Sequence, residues 1–149
     1  YLLTFLFDPS PETPKSFRDP ATGQSEHIYN CDSRQLLKQW QEMVGNRDAL
    51  AALGGRSRPR DPLAFSEYSA CAWAEALTIA TALALQKSWG KKVPALPFTP
   101  AEIADGWRSF EAEYTRLWHL RNRPSEYYRL RRTIMEIAKL LDRAGLKQK

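Results

Sequence analysis

The chain has little of what most reaction chemistry is built from. It holds two cysteines and two histidines in 149 residues. Cys31 and Cys71 are too few for a disulfide framework and sit in no CxxC spacing. The expectation is a pair of thiols, with Cys71 a small buried hydrophobe on a helix. A metal centre needs several N, O or S ligands converging, and His27 and His119 do not propose one. Gly54-Gly55 follows no strand and lacks the Lys-Ser/Thr of a phosphate loop. No Gly-x-Ser-x-Gly elbow occurs. No internal repeat or low-complexity segment is visible. No unbroken apolar run is long enough to span a bilayer, and no membrane partner is expected. The opening YLLTFLF is too short for a span and has no basic flank for a complete signal peptide. No cofactor is called for.

What remains is the composition of an ordinary folded domain, 43% hydrophobic and 26% charged. The length suffices to bury a core. The net charge is +5 with a pI near 9.4. The cations crowd the last third: Arg116, Arg121, Arg123, Arg129, Arg131, Arg132, Lys139, Arg143, Lys147 and Lys149. Such a basic end is either a footprint for nucleic acid or a solvated face whose arginines pair with carboxylates.

Taken in order, Tyr1 to Phe7 is an apolar, β-favouring run ended by Asp8-Pro9, which reads as a buried strand or the end of an upstream element. A lone strand wants neighbours, so residues 1–32 are expected to be the end of a missing upstream domain. Pro9 to Asn30 is a proline-rich loop. Its end gathers His27, Tyr29 and Asp32, which could hydrogen-bond a polar ligand or simply anchor the loop.

Helices fill residues 33–149. Asp32 or Ser33 caps the first, which has the apolar face Leu36, Leu37, Trp40, Met43, Val44 and ends at Gly45. A short helical segment follows from Asp48 to Leu53, then the basic connector RSRPR. Asp61-Pro62 starts a long helix running to Trp89 and stopping at Gly90. From Ala70 it is apolar over most of its surface, as a helix buried on several sides must be. Glu67 and Glu75 lie two turns apart on it. Thr99-Pro100-Ala101-Glu102 is a capping box with proline in the first turn. The fold expected is all-α, a bundle of about four main helices, with a short N-terminal strand-like segment and a long proline-rich loop.

The organising stretch is Phe110 to Leu141. Ile103, Trp107, Phe110, Tyr114, Leu117, Trp118 and Arg121 form one helical face, and Tyr127, Leu130, Ile134, Ile137 and Leu141 another. Asn122-Arg123-Pro124-Ser125 is the stop between them. The aromatic stripe is expected to fill a core. Glu111 and Glu113 point to different faces and are expected to be solvated.

The run Tyr114 to Pro124, preceded by Phe110, resembles the helical end of family 20-like glycoside hydrolases, relatives of the β-N-acetylhexosaminidases with a TIM-barrel catalytic domain. In that family an aromatic, Leu-Trp, then Asn-Arg/Lys-Pro pattern closes one late helix and opens the next, which here falls on Trp118, Asn122, Arg123 and Pro124. Ser125-Glu126-Tyr127 replaces the family's glycine-rich continuation. The catalytic Asp-Glu pair would lie upstream, so the resemblance implies a non-catalytic C-terminal region bracing a catalytic domain, with carbohydrate as the ultimate ligand and no catalytic residue here. The other readings are a free-standing basic module binding nucleic acid and a structural helical interaction domain.

Overall fold

The computed structural model describes residues 26–56, 59–121 and 127–146. These form an all-α bundle: α1 (Glu26–Asn30), α2 (Ser33–Arg56), α3 (Pro62–Ser88), α4 (Pro100–Arg121) and α5 (Tyr127–Leu146). The strand expected over residues 1–7 and the stop at Asn122, Arg123 and Pro124 lie outside the described residues.

The start signals act as local chemistry demands. Asp61 stays extended while its carboxylate accepts from Leu63 N and Ala64 N at 3.0 Å each, satisfying donors the first turn leaves open. Asp32 does the same for Arg34 N and Gln35 N, at 2.7 and 3.0 Å. At α4 the box closes both ways: Thr99 N donates to Glu102 Oε2 at 2.6 Å, and Glu102 N to Thr99 Oγ1 at 3.2 Å. Gly90 ends α3 at φ +81°, and its turn carries Lys91 N to Gln86 O at 3.0 Å.

α3 is the centre. It packs against α2, α4 and α5, and it is buried continuously from Gln86 back to Ala80. Alanines at 76, 80 and 84 let its neighbours come close. Across it, Trp107 of α4 is fully buried beside Phe110, and α5 supplies Ile134, Ile137 and Leu141. Burying an indole of this kind removes about 150–250 Å² from water. At about 25 cal/mol per Å² that is roughly 4–6 kcal/mol. Gly106 permits the α3–α4 approach, since a Cβ there would stand 2.6 Å from Leu77 Cδ2.

Four expectations need correction. Gly45 does not end a helix, because α2 runs unbroken from Ser33 to Arg56. The half-buried face continues past it through Arg47 and Leu50, and packing on α3 outweighs the roughly 1 kcal/mol that an interior glycine costs. Residues 26–30, read as loop, form a helical turn because Ile28 buries itself against Ala82 and Leu85. Cys71 is exposed rather than buried. By length and composition α3 is apolar enough to cross a membrane, although 56% of that stretch is buried inside the bundle. Its few polar side chains interrupt the apolar run in the sequence. Thr78 and Thr81 return their hydroxyls to the helix's own carbonyls, at 2.7 Å in both cases.

Candidate docking surface

The two ends of the bundle differ. At one end, α1 and the start of α2 are fastened to the end of α3. Gln86, fully buried, donates from Nε2 to Ile28 O at 2.6 Å and Cys31 O at 2.8 Å, while its Oε1 accepts from Ser33 Oγ at 2.8 Å. Lys91 Nζ donates to Tyr29 O and, at 2.6 Å, to Cys31 O, and lies 5.5 Å from the Tyr29 ring centroid. Two of the sequence candidates therefore act as anchors here. Tyr29 presents its carbonyl and ring to Lys91. Asp32 caps α2, and its backbone donors from Gln35 and Arg34 hold its carboxyl below the usual range. The His27 side chain lies outside the described residues. Gln86 and Lys91 gave no sequence signal, because a buried glutamine in an apolar helix is recognisable only once its carbonyl partners are brought to it.

At the other end, aromatic and arginine side chains collect. Neighbouring helices are antiparallel, so this end holds the close of α2, the start of α3, the close of α4 and the start of α5. The register is shown by Gly54 beside Phe65, Trp73 beside Phe110 at 5.8 Å, and Trp118 and His119 beside Tyr127 at 6.4 and 5.6 Å. The expected stripe is a continuous ladder: Trp107, Phe110, Tyr114 and Trp118 stand 5.6 to 5.8 Å apart in sequence. Its inner half is core, as the spacing predicted. Its outer half, Tyr114 and Trp118, is only half-buried.

Glu111 is not solvated as expected. Its side chain is 17% exposed and pairs with Arg131 Nε at 3.1 Å. Tyr127 Oη donates to it at 2.5 Å and also contacts the Thr115 hydroxyl. Burial, and then the Glu111 carboxylate, push the Tyr127 phenol up. Glu113 does face solvent and pairs with Arg116, which pulls its carboxyl down. On α3, Glu67 is half-buried and Glu75 exposed, so the two do not form a buried pair. Among the described residues no group of His, Cys, Asp or Glu is arranged to hold a metal ion.

Among the described residues the large exposed hydrophobics are Leu53 (55%), Tyr68 (71%), Leu120 (58%) and Tyr128 (61%), and all belong to this second end. The cations around them are arginines. Arg56, Arg60, Arg116, Arg131 and Arg132 are exposed there. No lysine occurs between Lys38 and Lys87 or between Lys92 and Lys139. Surfaces that bind proteins are enriched in tyrosine, tryptophan and arginine and depleted in lysine.

Fold and surface together define an all-α helical bundle with aromatic and arginine side chains collected at one end. No known protein family, curated protein or solved structure matches the chain.

Proposed function

We propose that this chain is a non-catalytic helical module that braces another folded domain. What supports it is one observation: Leu53, Tyr68, Leu120 and Tyr128 are gathered at a single end of the bundle. Scattered apolar side chains on a surface need no partner, but a group on one face rimmed by polar residues does. The resemblance of Tyr114 to Pro124 to the late helices of family 20-like glycoside hydrolases makes a carbohydrate-active catalytic domain the partner to test first. Trp118 and Leu117, which carry that resemblance, stand at the same end.

Basic charge favours nucleic acid less. Arg108 bridges Asp105 and Asp142, Arg116 pairs with Glu113, Arg131 with Glu111 and Lys139 with Glu136. The cations of the α4–α5 pair are thus interleaved with carboxylates rather than laid out as a stripe for phosphates.

The test is the native particle. It is expected to be several times heavier than 17.1 kDa and to hydrolyse a chromogenic N-acetylhexosaminide, while residues 1–149 alone do not. A native particle of that small mass, monomeric at all concentrations, overturns the bracing role. A heavy particle without glycosidase activity overturns only its hydrolase form.

A further inference from the structure

We propose that α1 and the turn after it form a latched strap, which opens as one unit while α2 to α5 stay folded. Gln86 and Lys91 are its latch. The device does not depend on the bracing role above.

Alone, α1 has little to hold it. It has five residues, and a helix that short is not stable in water. Its order comes from what it docks on. Among its described side chains only Ile28 is buried, against Ala82 and Leu85 of α3, with Leu36, Trp89 and Leu140 packed around them. One isoleucine is little apolar burial to set against the backbone freedom that the segment gives up.

The remaining hold is polar and falls on two residues. Ile28 O and Cys31 O accept from Gln86 Nε2, and Tyr29 O and Cys31 O accept from Lys91 Nζ. These are carbonyls of the kind a helix end leaves open. One turn sets both donors: Gly90 stands at φ +81°, and Lys91 N donates to Gln86 O at 3.0 Å. Cys31 O is shared between the two donors, so loosening one loosens the other. The main core does not depend on them. Trp107, Ile134, Ile137 and Leu141 belong to a different apolar cluster from Ile28. Opening therefore leaves that core closed and bares Ala82, Leu85 and their neighbours on α2 and α5. Gln86 and Lys91 then meet water, so no buried donor is stranded.

The test uses the whole chain and its two cysteines. Cys31 lies in the strap's turn and is half-buried, while Cys71 is exposed and serves as the reference. Iodoacetamide labelling of Cys31 relative to Cys71 is read by mass spectrometry, beside chymotryptic cleavage after Tyr29. Each rate is divided by its value in unfolding urea, which removes differences in thiol chemistry. Lys91→Met and Gln86→Leu are each expected to raise both rates about tenfold, as loss of a buried or charged hydrogen bond does. The circular dichroism melt of the bundle is expected to move little. Ile28→Ala loosens the strap from its apolar side and is expected to act in the same way, so the result does not rest on altering buried Gln86.

Labelling of Cys31 that rises only with global unfolding overturns separate opening. Unequal rises in labelling and cleavage overturn opening as one unit. Unchanged rates in the folded Lys91→Met and Ile28→Ala proteins overturn the latch.

Discussion

The indole Nε1 of Trp107 donates to the hydroxyl of Thr81 at 2.9 Å, and both side chains are fully buried. Thr81 passes its own proton to Leu77 O at 2.7 Å. The largest core residue of α4 is thus tied to α3 by a polar contact inside an apolar interior. Thr81→Val keeps the shape and removes the acceptor, so a buried N–H is left unpaired at a cost of about 1–3 kcal/mol. Urea denaturation should show that loss for Thr81→Val and much less for Thr81→Ser, which keeps the hydroxyl. Equal stability of all three proteins would show the bond to be immaterial.

The glycines at 45 and 106 should respond in opposite directions. Both lie inside helices, where alanine is favoured by about 1 kcal/mol. A Cβ at Gly45 meets nothing within 4 Å, so Gly45→Ala should raise the melting temperature. A Cβ at Gly106 falls 2.6 Å from buried Leu77, and the resulting overpacking costs about 1–3 kcal/mol. Gly106→Ala should therefore lower the melting temperature, and its loss should shrink when it is made in a Leu77→Ala background, which removes the colliding methyl.

The Gln86 anchor predicts a local effect. Gln86→Leu retains an apolar packing volume but strands Ser33 Oγ and takes away a donor from Ile28 O and Cys31 O. Hydrogen exchange should quicken across residues 28–36, while the amides of α4 keep their protection. Lys91→Met should add to the effect, since Lys91 serves Tyr29 O and Cys31 O. Uniform quickening throughout the bundle would contradict a local anchor.

Alkaline pH should weaken the fold through Tyr127. Its folded-state phenol is raised, first by burial and then by the hydrogen bond to Glu111. The native state therefore holds that proton more tightly than the unfolded chain. The contribution is complete below the ordinary tyrosine value of about 10, and it is lost as pH rises through the raised value. Tyr127→Phe should flatten this limb of the stability curve. On the acid side the sign reverses. The carboxyls of Asp32 and Glu102 are depressed by the backbone hydrogen bonds of their caps. Their contribution is present above the ordinary carboxylate range and disappears as pH falls through the depressed values. Thr99→Val should reduce the part due to Glu102.

Much of the bundle was legible because its signals are local. Asp61-Pro62, Thr99-Pro100-Ala101-Glu102 and Gly90 each meet a need of the backbone within a few residues, and each acts as read. Gly45 misled for the same reason. Its preference is local, whereas the continuation of α2 is decided by a face of half-buried side chains packing on a helix that arrives later in the chain. The site was harder. Tyr29 and Asp32 read as polar groups near one another; Asp32 serves the start of its own helix, but the role of Tyr29 depends on Lys91, 62 residues away.

By itself, the sequence determined that the chain is helical, where α3 and α4 begin, and that Trp107, Phe110, Leu117, Ile134, Ile137 and Leu141 share a core. Periodicity and capping are written in neighbouring residues. Only the tertiary structure decided which apolar side chains stay outside. Leu120 and Leu117 belong to the same turn and the same residue type, yet one is 58% exposed and the other buried. The antiparallel return of α5 covers one face of α4 and leaves the other open. That same return, with that of α2 against α3, brings arginines and exposed aromatics from four helices to one end of the bundle.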